Sequence, residues 1–134
     1  MDNIIMKAKA AAALFGGILT WMFGAPDGLL YALLALVALD YVSGVAAAFI
    51  EGGLSSAEGA RGLVKKVGIF LVVACGVILD RQITGGSGLL RGAVISFFIA
   101  NEALSVTENA ARLGIPIPKK LAAALAQLKD GNGA

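Results

Sequence analysis

The stretch Leu29–Ile50, LLYALLALVALDYVSGVAAAFI, decides the fold. A helix needs about twenty mainly apolar residues to cross the hydrocarbon core of a bilayer. This run supplies them, with Asp40 as its only charged residue. Trp21 and Tyr31 flank its start, where interfacial aromatic residues belong.

Three more apolar segments surround it. The first runs about Ala10–Phe23 and stops at the breaker Gly24-Ala25-Pro26-Asp27-Gly28. It is short for a span unless it extends back to Ile4 with Lys7 and Lys9 snorkelling to the interface. A signal peptide is disfavoured because Pro26 directly follows the small residue Ala25. An amphipathic or re-entrant segment is the open alternative to a first span. The third segment, Val67–Leu79, has thirteen apolar residues between Lys65-Lys66 and Asp80-Arg81. The fourth, Leu89–Leu113, turns polar midway at NEALSVTENAAR. Pro116 and Pro118 then stop the helix, because neither can donate a backbone hydrogen bond. The closing stretch Lys119–Lys129 puts Leu121, Leu125 and Leu128 on one face, which suits a headgroup-level or solvated helix.

The expected fold is all-α. It is a single domain over residues 1–134, an integral membrane bundle of four short spans (about 8–24, 29–50, 65–81 and 89–113), or three if the first segment does not cross. A cytoplasmic tail, 114–134, carries the short C-terminal amphipathic helix.

Composition supports a lipid solvent and narrows the function. Of 134 residues, 58% are hydrophobic and only 15% charged, too few to coat a water-soluble globule. The net charge of +2 gives no ground for a nucleic-acid partner. Histidine is absent, which removes the commonest proton shuttle and metal ligand together with every histidine-based nucleophile. We expect no catalytic residues, no metal and no cofactor. Cys75 lies in an apolar run and reads as a buried thiol; a single cysteine excludes an internal disulfide. With the N-terminus inside, nine basic residues (Lys7, Lys9, Arg61, Lys65, Lys66, Arg112, Lys119, Lys120, Lys129) fall on the cytoplasmic side against Arg81 and Arg91 outside. That positive-inside bias puts both termini in the cytoplasm.

The informative residues are polar ones inside spans, each costing about 2.5–3.5 kcal/mol on insertion scales when charged. On the second segment Asp40, Gly44, Ala48 and Gly52 recur every four residues; on the third, Gly68, Val72, Gly76 and Asp80 do the same. On the fourth, Asn101, Glu102, Ser105, Glu108, Asn109 and Arg112 make a polar stripe, with Glu108 and Arg112 at pairing distance. Gly88 and Gly92 add a small-residue step at its start. We read Asp40, Gly44, Asp80, Asn101, Glu102, Ser105, Glu108, Asn109 and Arg112 as a pore or oligomer face. Ala48, Gly52, Gly68, Gly76, Gly88 and Gly92 are read as helix-packing positions. Polar glue inside a dry bundle is the competing explanation. The short third segment further suggests that hydrophobic mismatch favours clustering.

These residues resemble a known pattern. Asp40-Tyr41-Val42-Ser43-Gly44 is similar to the aspartate–aromatic–x–Ser/Thr–glycine signature of the phage lysis and toxin secretion holin family. Ser55-Ser56 with Gly59, Gly62 and Lys65-Lys66 resembles that family's inter-span loop. Asn101-Glu102, Ser105 and Glu108-Asn109 resemble its last span, and Gly114-Ile115-Pro116-Ile117-Pro118 the turn after it. The resemblance covers about Leu29–Leu128 in order, while the N-terminal segment matches no motif. It implies a multi-pass protein of the host bacterial cytoplasmic membrane that homo-oligomerises into lesions. These collapse the membrane potential and release an endolysin, or in some relatives a toxin. An antiholin of the same fold, acting as partner or as the chain's own role, and a small proton-coupled ion or drug transporter with Glu102 as proton carrier are the alternatives.

Overall fold

The computed structural model describes residues 1–132, the side chains of 128, 129 and 132 excepted. The expected positions of Leu128 on an apolar face and of Lys129 on the cytoplasmic side therefore lie outside the described residues. Five helices follow one another: α1 (Asp2–Phe23), α2 (Gly28–Ile50), α3 (Ser56–Ile83), α4 (Leu89–Arg112) and α5 (Lys119–Asn132). The first four are each long and apolar enough to cross a membrane. The all-α architecture with a short C-terminal helix is as expected.

Local chemistry sets the ends. Asp27 caps α2, its Oδ1 accepting from the Leu30 amide at 2.9 Å. Ser55 caps α3 by accepting from the amide of Glu58, at 3.2 Å, in the Ser-x-x-Glu arrangement typical of helix starts. Gly24, Gly52 and Gly114, just beyond three helix ends, take φ values of 74 to 80°, a region that a side chain would strain. After α4, Pro118 closes the connection and α5 starts at Lys119.

Helix α3 departs from expectation. It begins at Ser56, not near residue 65, and its 28 residues rise about 42 Å. Its N-terminal third is polar, so an apolar run understates its length.

Helices α2, α3 and α4 pack together, α2 most extensively on α4, around a core of Leu33, Val37, Ile69, Val73 and Ile95. Inward positions alternate steps of three and four: Leu30, Leu33, Val37, Asp40, Gly44 and Ala47 on α2, and Lys66, Ile69, Val73, Gly76 and Asp80 on α3. Helix α4 adds Ile95, Phe98, Glu102, Ser105 and Asn109. A seven-residue repeat drifts only about 20° per two turns, so one face stays on its neighbours.

That drift separates the packing positions within the subunit. A strict four-residue step advances about 40° beyond a full turn, so three steps leave the interface by about 120°. Gly44 and Gly76 stay inside. A Cβ on Gly44 would lie 3.4 Å from Asn109 Nδ2, and one on Gly76 would lie 3.0 Å from Val94 Cγ2. Ala48 lines a cleft described below. A Cβ on Gly52, Gly68, Gly88 or Gly92 would meet nothing within 4 Å. Gly52 and Gly88 are left-handed turn residues, with φ of 74° and 84°. Cys75 is exposed on the outer side of α3, not buried.

Helix α1 is exposed along nearly its whole length and touches the bundle through its last turn. There Phe23 meets Phe70 edge-on with centroids 6.0 Å apart, and Arg81 lies 5.1 Å from the Trp21 ring. Large apolar residues such as Leu34, Val42, Leu71 and Phe97 also face outward. An outer surface of this kind suits lipid, not water.

Candidate functional site: a buried ion-pair network between three spans

The three-four seams carry polar groups to one level of the bundle. Lys66 Nζ of α3 donates to Asp40 Oδ2 of α2 and, at 2.5 Å, to Glu102 Oε2 of α4. All three are withdrawn from solvent, with side-chain exposures of 15%, 10% and 8%. Asn109, also buried, donates from Nδ2 to Asp40 Oδ1 at 2.9 Å, to the Asp40 carbonyl at 3.2 Å and to Ser43 Oγ at 3.0 Å. Gly44 lies beside that amide, and a methyl group there would come into van der Waals contact with it. One lysine thus bridges acids from two other helices, and an asparagine adds hydrogen bonds to one of them, Asp40. Each charge would be costly alone in a span; paired and hydrogen-bonded, the set becomes tolerable.

An open cleft of about 600 Å³ adjoins the network. Its walls come from α2, from the first half of α3 and from α4; a Cβ on Gly59 would lie 3.6 Å from the Tyr41 hydroxyl, and one on Gly62 would lie 3.6 Å from the Tyr41 ring edge. Tyr41 donates to the Gly59 carbonyl at 3.4 Å. At the outer end, Arg112 donates from Nη2 to Glu51 Oε2 at 2.7 Å, from Nε to Oε1 at 3.0 Å, and from Nη1 to Asn109 Oδ1 at 3.2 Å. The Arg112 guanidinium holds the Glu51 carboxyl below the usual carboxylate range. Helix spacing pairs Arg112 with Glu108; the fold gives it Glu51 across the helix interface.

A second polar cluster closes the opposite end. Asp80 does not join the first network. Its Oδ1 accepts from Thr84 Oγ1 at 2.6 Å and from the Leu90 amide at 3.2 Å, anchoring the start of α4. Arg91 clasps the α1–α2 turn, donating to the Phe23 carbonyl at 2.7 Å and to Asp27 Oδ2 at 2.6 Å. With the Leu30 amide, it lowers the Asp27 carboxyl to about 2.

Of the residues read as a pore or oligomer face, Asp40, Gly44, Asn101, Glu102, Ser105, Asn109 and Arg112 border the cleft. Asp80 sits at the far end as a helix anchor, and Glu108 is exposed on α4. The sequence reading missed the central residue. Lys66 was placed at the cytoplasmic boundary, whereas it is the cation of the network. Only the packing reveals it: counting back from Asp80 through Gly76, Val73 and Ile69, all buried, in steps of three and four reaches Lys66. Glu51 was missed because it lies outside any apolar run.

Comparison with known proteins completes the picture. The bacteriophage holin family matches the chain over residues 17–130. An uncharacterised 14.9 kDa protein in the nagH 3′ region of Clostridium perfringens is 42% identical over 130 residues, covering 97% of this chain and 98% of that protein. The uncharacterised protein Lmo0128 of Listeria monocytogenes is 39% identical over 107 residues, 80% of this chain and 76% of its own. A protein named "Probable holin" from Bacillus phage phi105 is 36% identical over 100 residues, 75% of this chain and 73% of that protein. No solved structure matches. The family match spans α2 to α4 with every residue of the ion-pair network, and the chain belongs to the bacteriophage holin family.

Proposed function

We propose that this multi-pass membrane protein acts as a holin. It accumulates in the bacterial cytoplasmic membrane, assembles with further copies, and opens lesions that dissipate the membrane potential and let an endolysin or a toxin pass outward. The observation that carries this reading is the Asp40–Lys66–Glu102–Asn109 network, charged and polar groups from three spans meeting inside one subunit. Lipid cannot solvate such a seam. Closed, it satisfies itself; parted by assembly, the same groups suit the wall of a water-filled lesion. The role needs no catalysis and no cofactor.

The orientation follows from charge. The end bearing Arg61, Lys65, Arg112, Lys119 and Lys120 is cytoplasmic, which puts both termini inside. Lys66 drops out of that count because it is spent inside the bundle, and the bias survives. A proton-coupled exchanger fits less well, since Glu102 is tied to Lys66 instead of standing isolated.

The test is expression in bacteria beside a cytosolic muralytic enzyme that lacks a secretion signal, following turbidity and membrane potential. Abrupt, reproducibly timed lysis supports a holin. Slow growth without enzyme escape overturns the reading, and delayed lysis on co-expression with an active holin points to an antiholin.

A further inference from the structure

The cleft beside the ion-pair network has a direction. Along α4 its walls run from Arg112 back to Phe98, about 21 Å of helix, so it reaches from one end of the bundle to mid-depth. At its inner end stand Ile69 and Phe98, and behind them the fully buried Leu33, Val73 and Ile95. The opposite end is shut by the Asp80 and Arg91 clusters. The volume of about 600 Å³ has room for on the order of twenty waters, at about 30 Å³ each in the liquid. The site is also polar enough to hold them, with Asp40, Lys66, Asn101, Glu102 and Ser105 on its walls. Lys66, Asp40 and Glu102 all line the cleft, and Lys66 is the most exposed of the three side chains. Charged groups on the walls are Asp40, Glu58 and Glu102 against Lys65, Lys66 and Arg112, with Glu51 paired to Arg112 at the mouth.

We propose that each subunit contains its own water-filled half-channel, entered from the Glu51–Arg112 end, floored by the Asp40–Lys66–Glu102 network and sealed by the apolar layer of Leu33, Val73 and Ile95. Asn101, Glu102, Ser105, Asn109 and Arg112 of the α4 stripe then face this internal vestibule, not a neighbouring subunit, while Glu108 is exposed. Opening the apolar seal turns a single subunit into a path for protons and small ions. The half-channel depends on the spans but not on lesion formation, so either can fail without the other.

The experiment uses the full chain with Cys75→Ser, reconstituted in lipid vesicles at about one copy each. Single cysteines are placed in the cleft (Ala48→Cys, Ser105→Cys), in the seal (Val73→Cys) and on the outer face (Leu79→Cys). A charged, membrane-impermeant methanethiosulfonate is added to one face or the other. The two cleft cysteines should react from one face only. The seal cysteine should react at least about 100-fold more slowly, since a dry site suppresses the thiolate by two or more pH units. The outer-face cysteine should behave like the seal. Adding Ile95→Ser should let reagent from both faces reach position 73 and should collapse an imposed proton gradient. Cleft cysteines as inert as Val73→Cys mean that lipid or side chains fill the cleft, which overturns the proposal. Equal labelling from both faces overturns it as well. The labelling contrast decides the question even if Ile95→Ser does not fold.

Discussion

Replacing Lys66 with methionine tests whether the ion-pair network holds the bundle together. Methionine keeps the length and apolar stem of lysine and removes the charge. Two carboxylates, Asp40 and Glu102, then lose the nitrogen they share. Because both oxygens lie within hydrogen-bonding reach of that one atom, the acids are about 5 Å apart at most. At an effective dielectric constant of about 20, their repulsion across 5 Å is about 3 kcal/mol. Breaking one partner out of a buried ion pair costs about 3–5 kcal/mol by general experience. The lower end applies because Lys66 borders an open cleft that admits some screening. We expect Lys66→Met to destabilise by about 3 kcal/mol, somewhat over 100-fold in the folded-to-unfolded ratio. Asp40→Asn and Glu102→Gln added to the same chain should recover most of the loss, since a neutral set of similar shape leaves no uncompensated charge. The assay is reversible unfolding of the purified protein in mixed micelles, titrating a denaturing detergent and following helical circular dichroism. A loss below about 1 kcal/mol for Lys66→Met, or a triple variant no more stable than the single, would refute the reasoning.

Three further outcomes follow from the same geometry. Gly76→Leu should cost about 1–3 kcal/mol by forcing α3 away from Val94, whereas Gly68→Leu, which meets open space, should be neutral or stabilising; equal effects in the same unfolding assay would contradict the assigned faces. The Asp27–Arg91 clasp should depend on acid. With a folded value of about 2 against the ordinary 3.8, its contribution is complete above about pH 4 and is lost as pH falls toward 2. Emission from Trp21, the single tryptophan, should report loosening of α1 over that window and Asp27→Asn should abolish the change; an unchanged transition in the variant removes Asp27 as the cause. In the lysis assay Glu102→Gln should move the onset further than Glu108→Gln, because Glu102 shares Lys66 and Glu108 is exposed; equal shifts would show that the buried network does not set timing.

Much of the architecture was legible without coordinates. Leu29–Ile50 announces a span by length and composition, and the breaks at Gly24–Gly28 and at Pro116 and Pro118 separate helices where the structure separates them. Legibility failed where polarity was taken as a boundary. The beginning of α3 was missed because its first turns are polar. Lys66 was assigned to the interface because lysines beside apolar runs usually sit there.

The chain alone determined that lipid is the solvent and which polar residues are anomalous within the spans, because hydropathy and backbone-breaking residues act locally; that four helices are long enough to span came from the structure. Only the tertiary structure decided how those anomalies are resolved. Ion pairs linking Lys66 to residues 26 and 36 positions away depend on how three helices are rotated against one another. In helices that are apolar nearly all round, the pattern of one sequence does not single out the inward face. Packing selected the three-four seam over the four-residue strip. That choice brought Asp40, Lys66, Glu102 and Asn109 together, sent Asp80 to the far end, and left Gly52, Gly68, Gly88 and Gly92 without a partner helix.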